Sequence, residues 1–272
     1  MAWDWEKVVD DLQRVPDGIN SQVPSSARVY DYLLGGKDNY AVDRAIGERL
    51  LTVAPDTRSV VRANRAFLAR AVRLLAERGV TQFIDLGTGI PTSPSVHEVA
   101  RETHPDARIV YVDNDPLVKA HNDALLATDD GVIILEADIR RPEDIVGHPD
   151  VTKLIDFERP VGVLLVAVLH FVSDVEGAYR ILSGLRGRMA PGSYLVLSHS
   201  SSESEPEVLA QLQASTAGSP AQTTFRSHEE ILAFFEGFEL EEPGLVPVQR
   251  WRPAMDSIST RLIVEGAVAK RP

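Results

Sequence analysis

The 272-residue chain contains no cysteine. That excludes disulfides, thiolate metal sites and a cysteine nucleophile. Long hydrophobic runs are also missing. The longest, Val161 to Val172, is interrupted by His170 and is too short for the ~20 apolar residues a membrane helix needs. The first residues, Met1-Ala-Trp-Asp-Trp-Glu, are acidic where a signal peptide is basic and then apolar. The expectation is a cytoplasmic protein that does not engage a membrane. Positive charge is in deficit: 28 Lys and Arg against 40 Asp and Glu leave a net charge of −12. Phosphates would be repelled at long range, and no basic cluster with interleaved aromatics compensates, so no nucleic-acid partner is expected. Only five of the basic residues are lysine, a usage that fits GC-rich coding. No internal repeat is present, and no His, Asp and Glu spacing reads as a metal site.

What is present is an ordinary globular composition, 44% apolar and 25% charged, enough for a sizeable core without staples. Residues 1–79 read as a helical cap or lid, and 80–272 as the main domain. In the cap, Trp5, Val8, Val9 and Leu12 recur at helical spacing ahead of Pro16 and Gly18. Ser25 to Leu34 forms a second helical segment ending at Gly35-Gly36, a helix-stop signal. Thr57 to Arg78 forms a third, carrying Val60, Val61, Phe67, Leu68, Val72 and Leu75 and stopping at Gly79.

After Gly79 the period shortens. Gln82–Leu86, Arg108–Val112, Val132–Glu136, Val161–Leu169 and Ser193–Ser198 are short, β-branched and apolar, and helical stretches at Pro94–Thr103, Asp115–Ala127 and Asp174–Met189 separate them. Strands alternating with helices predict a doubly covered parallel sheet of α/β, Rossmann-like class. Polar loops are expected at Ser200–Pro206 and Gln213–Thr224, with a short helix between them. A helix at Ser227–Phe235 and a closing pair of strands follow, Phe238–Leu240 extended toward Val248 and Thr260–Val268.

Chemistry concentrates at three strand ends. Ile84-Asp-Leu-Gly-Thr-Gly-Ile-Pro-Thr-Ser-Pro joins a strand to a helix expected to start with Ser93 as N-cap and Pro94 at its first position. Glycines at 87 and 89 let backbone approach a ligand closely. The third glycine of the dinucleotide fingerprint is replaced by Ile90-Pro91-Thr92, which counts against NAD and FAD. Asp113 ends the next strand, 24 residues after Gly89. A carboxylate there is placed to accept from ribose hydroxyls. Asp138 follows 25 residues later, where it can accept from an adenine amino group while Ile139 packs on the ring.

These strand ends resemble the cofactor signature of class I S-adenosylmethionine-dependent methyltransferases. The wider pattern is similar to the actinobacterial S-adenosyl methyltransferase family, formerly a domain of unknown function. The stretches that carry this are Ser26-Ala-Arg-Val-Tyr-Asp-Tyr-Leu-Leu-Gly-Gly-Lys-Asp-Asn-Tyr-Ala-Val-Asp-Arg, Asp85-Leu-Gly-Thr-Gly-Ile-Pro-Thr, Tyr111-Val-Asp-Asn-Asp-Pro and Leu164-Leu-Val-Ala-Val-Leu-His-Phe. The resemblance implies a seven-stranded sheet with its last strand antiparallel. It implies S-adenosyl-L-methionine as cofactor, with S-adenosyl-L-homocysteine as product. The methionine moiety would lie near Asp85, Gly87, Thr88 and Gly89, the ribose on Asp113 beside Asn114, the adenine by Asp138 and Ile139, and the sulfonium along the backbone near Ala167.

The resemblance also favours a lid over the cofactor, built from Gly35, Gly36, Asn39 and the aromatic walls Tyr30, Tyr32 and Tyr40, over a simple helix stop and turn. Asn64-Arg65 reads as a helix-surface polar pair. Leu169-His-Phe-Val-Ser-Asp is similar to segments of small-molecule O-methyltransferases in which a histidine serves as general base, making His170 the candidate catalytic residue. His199, after the fifth strand, is a second candidate on the substrate side. The Asn/Asp-Pro-Pro-aromatic motif of nucleobase N-methylation is absent after the fourth strand. The expected activity is methyl transfer to the oxygen or nitrogen of a small molecule. The alternatives are a noncatalytic S-adenosylmethionine binder acting as sensor or scaffold, and, ranked last, an oxidoreductase.

Overall fold

A computed structural model describes residues 20–126, 129–173, 177–218, 221–253 and 259–272. The amphipathic stretch on Trp5, Val8, Val9 and Leu12 and the expected helix start at Asp174 lie outside these residues. In chain order the helices are α1 (Ser26–Leu34), α2 (Ala41–Val53), α3 (Thr57–Glu77), α4 (Val96–Arg101), α5 (Pro116–Leu126), α6 (Pro142–Val146), α7 (Pro149–Leu154), α8 (Ala178–Arg188), α9 (Pro206–Thr216) and α10 (His228–Ala233). The strands are β1 (Gln82–Leu86), β2 (Arg108–Asp113), β3 (Val132–Glu136), β4 (Gly162–Val166), β5 (Tyr194–Ser200), β6 (Glu239–Leu240), β7 (Val246–Pro247) and β8 (Val264–Lys270). Among the described residues no helix is long and apolar enough to cross a membrane.

The strands form one sheet in the order β3-β2-β1-β4-β5-β8-β6, with β7 also pairing β8. β1 to β5 run parallel and β8 runs antiparallel to β5. The strand order reverses between β1 and β4, so a crevice opens there at the carboxyl ends of the strands. Pairing brings those ends level: Asp85 lies opposite Tyr111, Asp113 opposite Glu136 and Asp85 opposite Leu164.

Because side chains alternate along a strand, each strand feeds two cores. Phe83, Ile109, Leu164 and Val196 meet Phe67, Leu68, Val72 and Leu75 of α3 on one face. Ile84, Val110, Val163, Leu165 and Leu197 meet Ile145, Val151, Ile181 and Phe234 on the other. The same parity turns Asp85 and Ser198 toward α3 and sends His199 toward Phe234, with ring centroids 5.7 Å apart. α1 and α2 form a separate small cluster with α3 through Val29, Leu33, Ile46 and Val61.

Several element bounds differ from expectation for local reasons. β4 stops at Val166 because Ala167 turns into the left-handed region at φ 61°, and Leu169–Phe171 becomes a 3-10 turn. α4 is capped by Ser95, not Ser93, since the Ser95 hydroxyl accepts from the Glu98 amide in a capping box. The closing strand before Val248 is split into β6 and β7, which makes eight strands instead of seven. Pro243 brings no N–H for a ladder, and Gly244 adopts φ 83°. β8 begins at Val264, after the expected Thr260, and α9 runs three residues past Gln213 into an expected loop. α2, α6 and α7 have no counterpart in the sequence reading.

Candidate functional site

A cavity of about 560 Å³ opens at the carboxyl ends of β1 to β4, across the point where the strand order reverses. The sheet brings Asp85, Gly87, Thr88, Gly89, Asp113, Asn114, Asp138, Ile139 and Ala167 to its walls. Of the residues expected in the lid, Tyr30 lines it. Tyr32, Gly35, Gly36, Asn39 and Tyr40 do not line it and instead build the turn between α1 and α2. Gly35 ends α1 at φ 92°, Asn39 donates from Nδ2 to Asp31 at 2.8 Å, and the Tyr32 hydroxyl donates to Glu48. Tyr40 packs in a small cluster with Ile90, Leu117 and Val118 while the Arg28 guanidinium lies 5.1 Å over its ring.

The loop after β1 keeps its amides for the protein. Gly87 and Thr88 donate to the Val112 carbonyl at 2.7 and 3.1 Å, and Gly89 donates to Asp113 Oδ2 at 2.9 Å. The other Asp113 oxygen accepts from the Asp115 amide at 3.0 Å. Gly87 and Gly89 both sit at positive φ, 72° and 68°, where a Cβ is strained.

Asp85 is 4% exposed. Burial pushes its carboxyl up to about 6, against the lowering pull of the Arg65 charge and a Thr88 hydrogen bond. Burial likewise raises Asp113, partly offset by its amide donors. Asp138 is lowered, first by the hydrogen bonds of Arg140, whose Nη2 donates at 2.7 Å. Among the described residues, the charged side chains on the walls are Asp85, Asp113, Asp115 and Asp138 facing Arg28, Arg65 and Arg140. Four carboxylates against three guanidiniums leave one negative charge in excess.

The Asn64-Arg65 pair is not a surface feature. Asn64 is 2% exposed and both residues line the cavity. The Ala167 amide donates to Ser198 Oγ at 2.9 Å, Ser198 donates to Asn64 Oδ1 at 2.7 Å, Asn64 Nδ2 donates to Tyr30 Oη at 3.0 Å, and Tyr30 donates to the Val61 carbonyl at 3.1 Å. This chain ties the end of β4 through β5 and α3 to α1. Arg65 Nη2 donates to the carbonyls of Thr92 and Pro94.

His170 does not line the large cavity. It is buried on the 3-10 turn, with Nδ1 3.3 Å from Ser200 Oγ. Burial lowers it well below the usual histidine range, with the neighbouring His199 and Arg226 adding to the effect. His199 lines neither cavity. Its Nε2 accepts from Arg226 at 2.6 Å, which leaves Nδ1 as the donor to the Ser200 carbonyl at 2.9 Å. Arg226, 1% exposed, also donates to the carbonyls of Leu169 and Val172 and so clamps both ends of the turn that carries His170. Sequence reasoning missed Asn64, Ser198 and Arg226: Asn64 meets Ser198 across 134 positions and Arg226 meets His199 across 27, with no spacing signal to join them.

Comparison with known proteins agrees with this architecture. Residues 13–272 match the family described as S-adenosyl methyltransferase. The chain belongs to the S-adenosyl methyltransferase family. Two solved structures are similar over almost their full length. A Thermobifida fusca YX protein described as a candidate methyltransferase is 40% identical, with 94% of this chain and 98% of that one covered at a TM-score of 0.89. A DUF574 family protein from Streptomyces avermitilis MA-4680 is 39% identical, covering 93% and 99% at 0.89. The mitomycin 7-O-methyltransferase MmcR, 18% identical over 93% of this chain and 74% of its own at 0.50, shares the fold. Among curated proteins no match was found. The sheet, with its last strand antiparallel, has the class I methyltransferase arrangement.

Proposed function

We propose that the protein binds S-adenosylmethionine in the large cavity and transfers its methyl group to a small molecule. The observation that carries this is the chemistry of the cavity walls. The three loop amides that a dinucleotide pyrophosphate would need are already bonded to Val112 and Asp113, and a diphosphate would face a wall with one carboxylate in excess of its guanidiniums. S-adenosylmethionine carries an ammonium, a carboxylate and a sulfonium, one net positive charge, which complements one excess wall carboxylate.

The residues fit the group piece by piece. Asp85 stands ready for the ammonium, since a cation beside a buried carboxylate removes the penalty that raises it. Arg65, on the same side, offers its guanidinium to the carboxylate. Asp113 retains unused lone pairs for ribose hydroxyls beside its amide donors. Asp138 and Ile139 flank the adenine, and the residues of the α1–α2 cap close over the ligand, Tyr30 from inside and Tyr32, Gly35, Gly36, Asn39 and Tyr40 as the frame. We divide the chain accordingly into a cap, 1–79, and a binding domain, 80–272, with α3 shared between them.

When bound, the cofactor supplies an electrophilic methyl: an acceptor lone pair takes it as the C–S bond breaks, the bonding electrons stay on sulfur as S-adenosylhomocysteine, and the acceptor proton must leave. His170 is the group placed to take that proton. Held neutral by burial, it keeps a free lone pair at Nε2 when Nδ1–H donates to Ser200 Oγ. A base of lowered basicity suffices, because a hydroxyl becomes strongly acidic as its oxygen gains a methyl. Positioning and desolvation supply the rest of the acceleration. Titration calorimetry decides the cofactor. S-adenosylmethionine should bind and NAD should not, and His170→Gln should leave the S-adenosylmethionine affinity within about twofold because His170 lies outside that cavity. Tighter NAD binding would overturn the assignment.

A further inference from the structure

A second cavity of about 110 Å³ adjoins the first, and Ser26, Tyr30, Asn64, Ala167 and Phe171 line both. Close-packed interiors leave few voids larger than a water, so a space of this size beside a ligand site calls for an occupant. An apolar protein cavity of about 150 Å³ holds one benzene, which sets the scale at a single ring. Its walls are Val29 and Leu33 of α1, Val60 and Val61 of α3, Leu212 of α9, and Leu262.

Three of the hydroxyls among its walls are bonded to the protein. Thr57 donates to the Ala54 carbonyl at 2.7 Å, Thr216 to Leu212 at 2.9 Å and Tyr30 to Val61 at 3.1 Å. Among the described residues no Asp, Glu, Lys or Arg lines the chamber. An ionic occupant would be desolvated with no counter-charge, and the site rejects it. His170 lines the chamber, and its Nε2 has no hydrogen-bond partner among the described residues. The junction itself is marked by Ala167, a non-glycine residue in the left-handed region. Such outliers cluster at ligand sites.

We propose that this chamber is the methyl-acceptor subsite and that the acceptor is a small uncharged molecule of about one ring bearing a hydroxyl. The ring lies among Val29, Leu33, Val60 and Leu212, and the hydroxyl stays at the junction beside Ala167 and His170. The proposal rests on the cofactor reading above for the position of the methyl donor.

The test uses phenol and benzoate as probes at pH 7.5, titrated into the full chain with and without S-adenosylhomocysteine. Phenol should bind saturably and benzoate at least tenfold more weakly. Ala221→Leu and Thr223→Leu, which narrow the chamber from the loop after α9, should each weaken phenol at least tenfold and leave S-adenosylhomocysteine affinity within twofold. Benzoate binding as tightly as phenol overturns the proposal, as does unchanged phenol affinity in either folded variant. If neither variant folds, the phenol–benzoate comparison on the unaltered protein still decides. Failure of S-adenosylhomocysteine to bind sinks the cofactor reading and the acceptor role with it. S-adenosylhomocysteine binding without phenol binding sinks the chamber alone.

Discussion

Asp85 is kept at a site where its charge disfavours the fold. Its carboxyl titrates at about 6 in the folded protein, against 3.8 for an ordinary aspartate. Below pH 3.8 it is protonated whether the chain is folded or not, and burial carries no ionisation penalty. As pH rises through 6 the penalty grows to its full size, about 3 kcal/mol for a shift of roughly two units. Asp85→Asn should therefore raise unfolding stability by about 2–3 kcal/mol at pH 7.5 and by little at pH 4, measured in denaturant melts. An equal gain at both pH values would show that charge is not the cause. Pairing with the ammonium of the proposed cofactor would offset that cost. Asp85, Asp113 and Asp138 were legible because each ends an apolar strand at regular spacing. Arg65 was not, because a helix pattern marks which face is apolar and says nothing about what its polar face covers.

At the scale of elements, the turn from β1 toward α4 shows how two similar glycines differ. Both need positive φ, but a Cβ on Gly87 would lie 2.5 Å from Val168 Cγ2, whereas one on Gly89 meets nothing within 4 Å. The second methyl of Val168 is only 2.8 Å away, so rotating that side chain brings no relief. Gly87→Ala should lose about 2–5 kcal/mol, left-handed strain plus overpacking, and Gly89→Ala about 1–2 kcal/mol from strain alone. Chemical denaturation of the two variants checks the order, and the reverse order would contradict the packing described. The glycines were readable as a turn, yet their unequal cost was not, since Val168 comes from the neighbouring strand's end. For the same reason the sequence reading ran β4 on to Leu169: its apolar run continues smoothly past Val166, and only the backbone at Ala167 breaks it. α2 escaped notice because its amphipathic pattern is weak, and it is held by α1 and α9 more than by its own apolar stripe.

For the whole molecule, the cap and the sheet meet through α3. One side of that helix packs on the sheet with Phe67, Val72 and Leu75. Its start packs with α1 and α2 through Val61, and Asn64 joins the two by hydrogen bonds. A ligand seated between Asp85 and Tyr30 would bridge both bodies. Hydrogen exchange should then slow in residues 20–53 as well as at the strand ends when S-adenosylhomocysteine is added, because local opening of the cap must first release the ligand. Slowing confined to the strand ends would remove the cap from the site.

The closing antiparallel strand is what the family resemblance implied, while the α/β class, the parallel strands and the acidic strand ends follow from the order of residues alone. They rest on periodicity and on which residue types stop a strand, both of which act over neighbours. The second cavity, the clamp of Arg226 on the turn carrying His170, and the separation of His170 from His199 were decided only in three dimensions. Two histidines 29 positions apart, each following an apolar strand, look equivalent in one dimension. They were separated when folding placed Arg226 against one ring and an open apolar chamber beside the other.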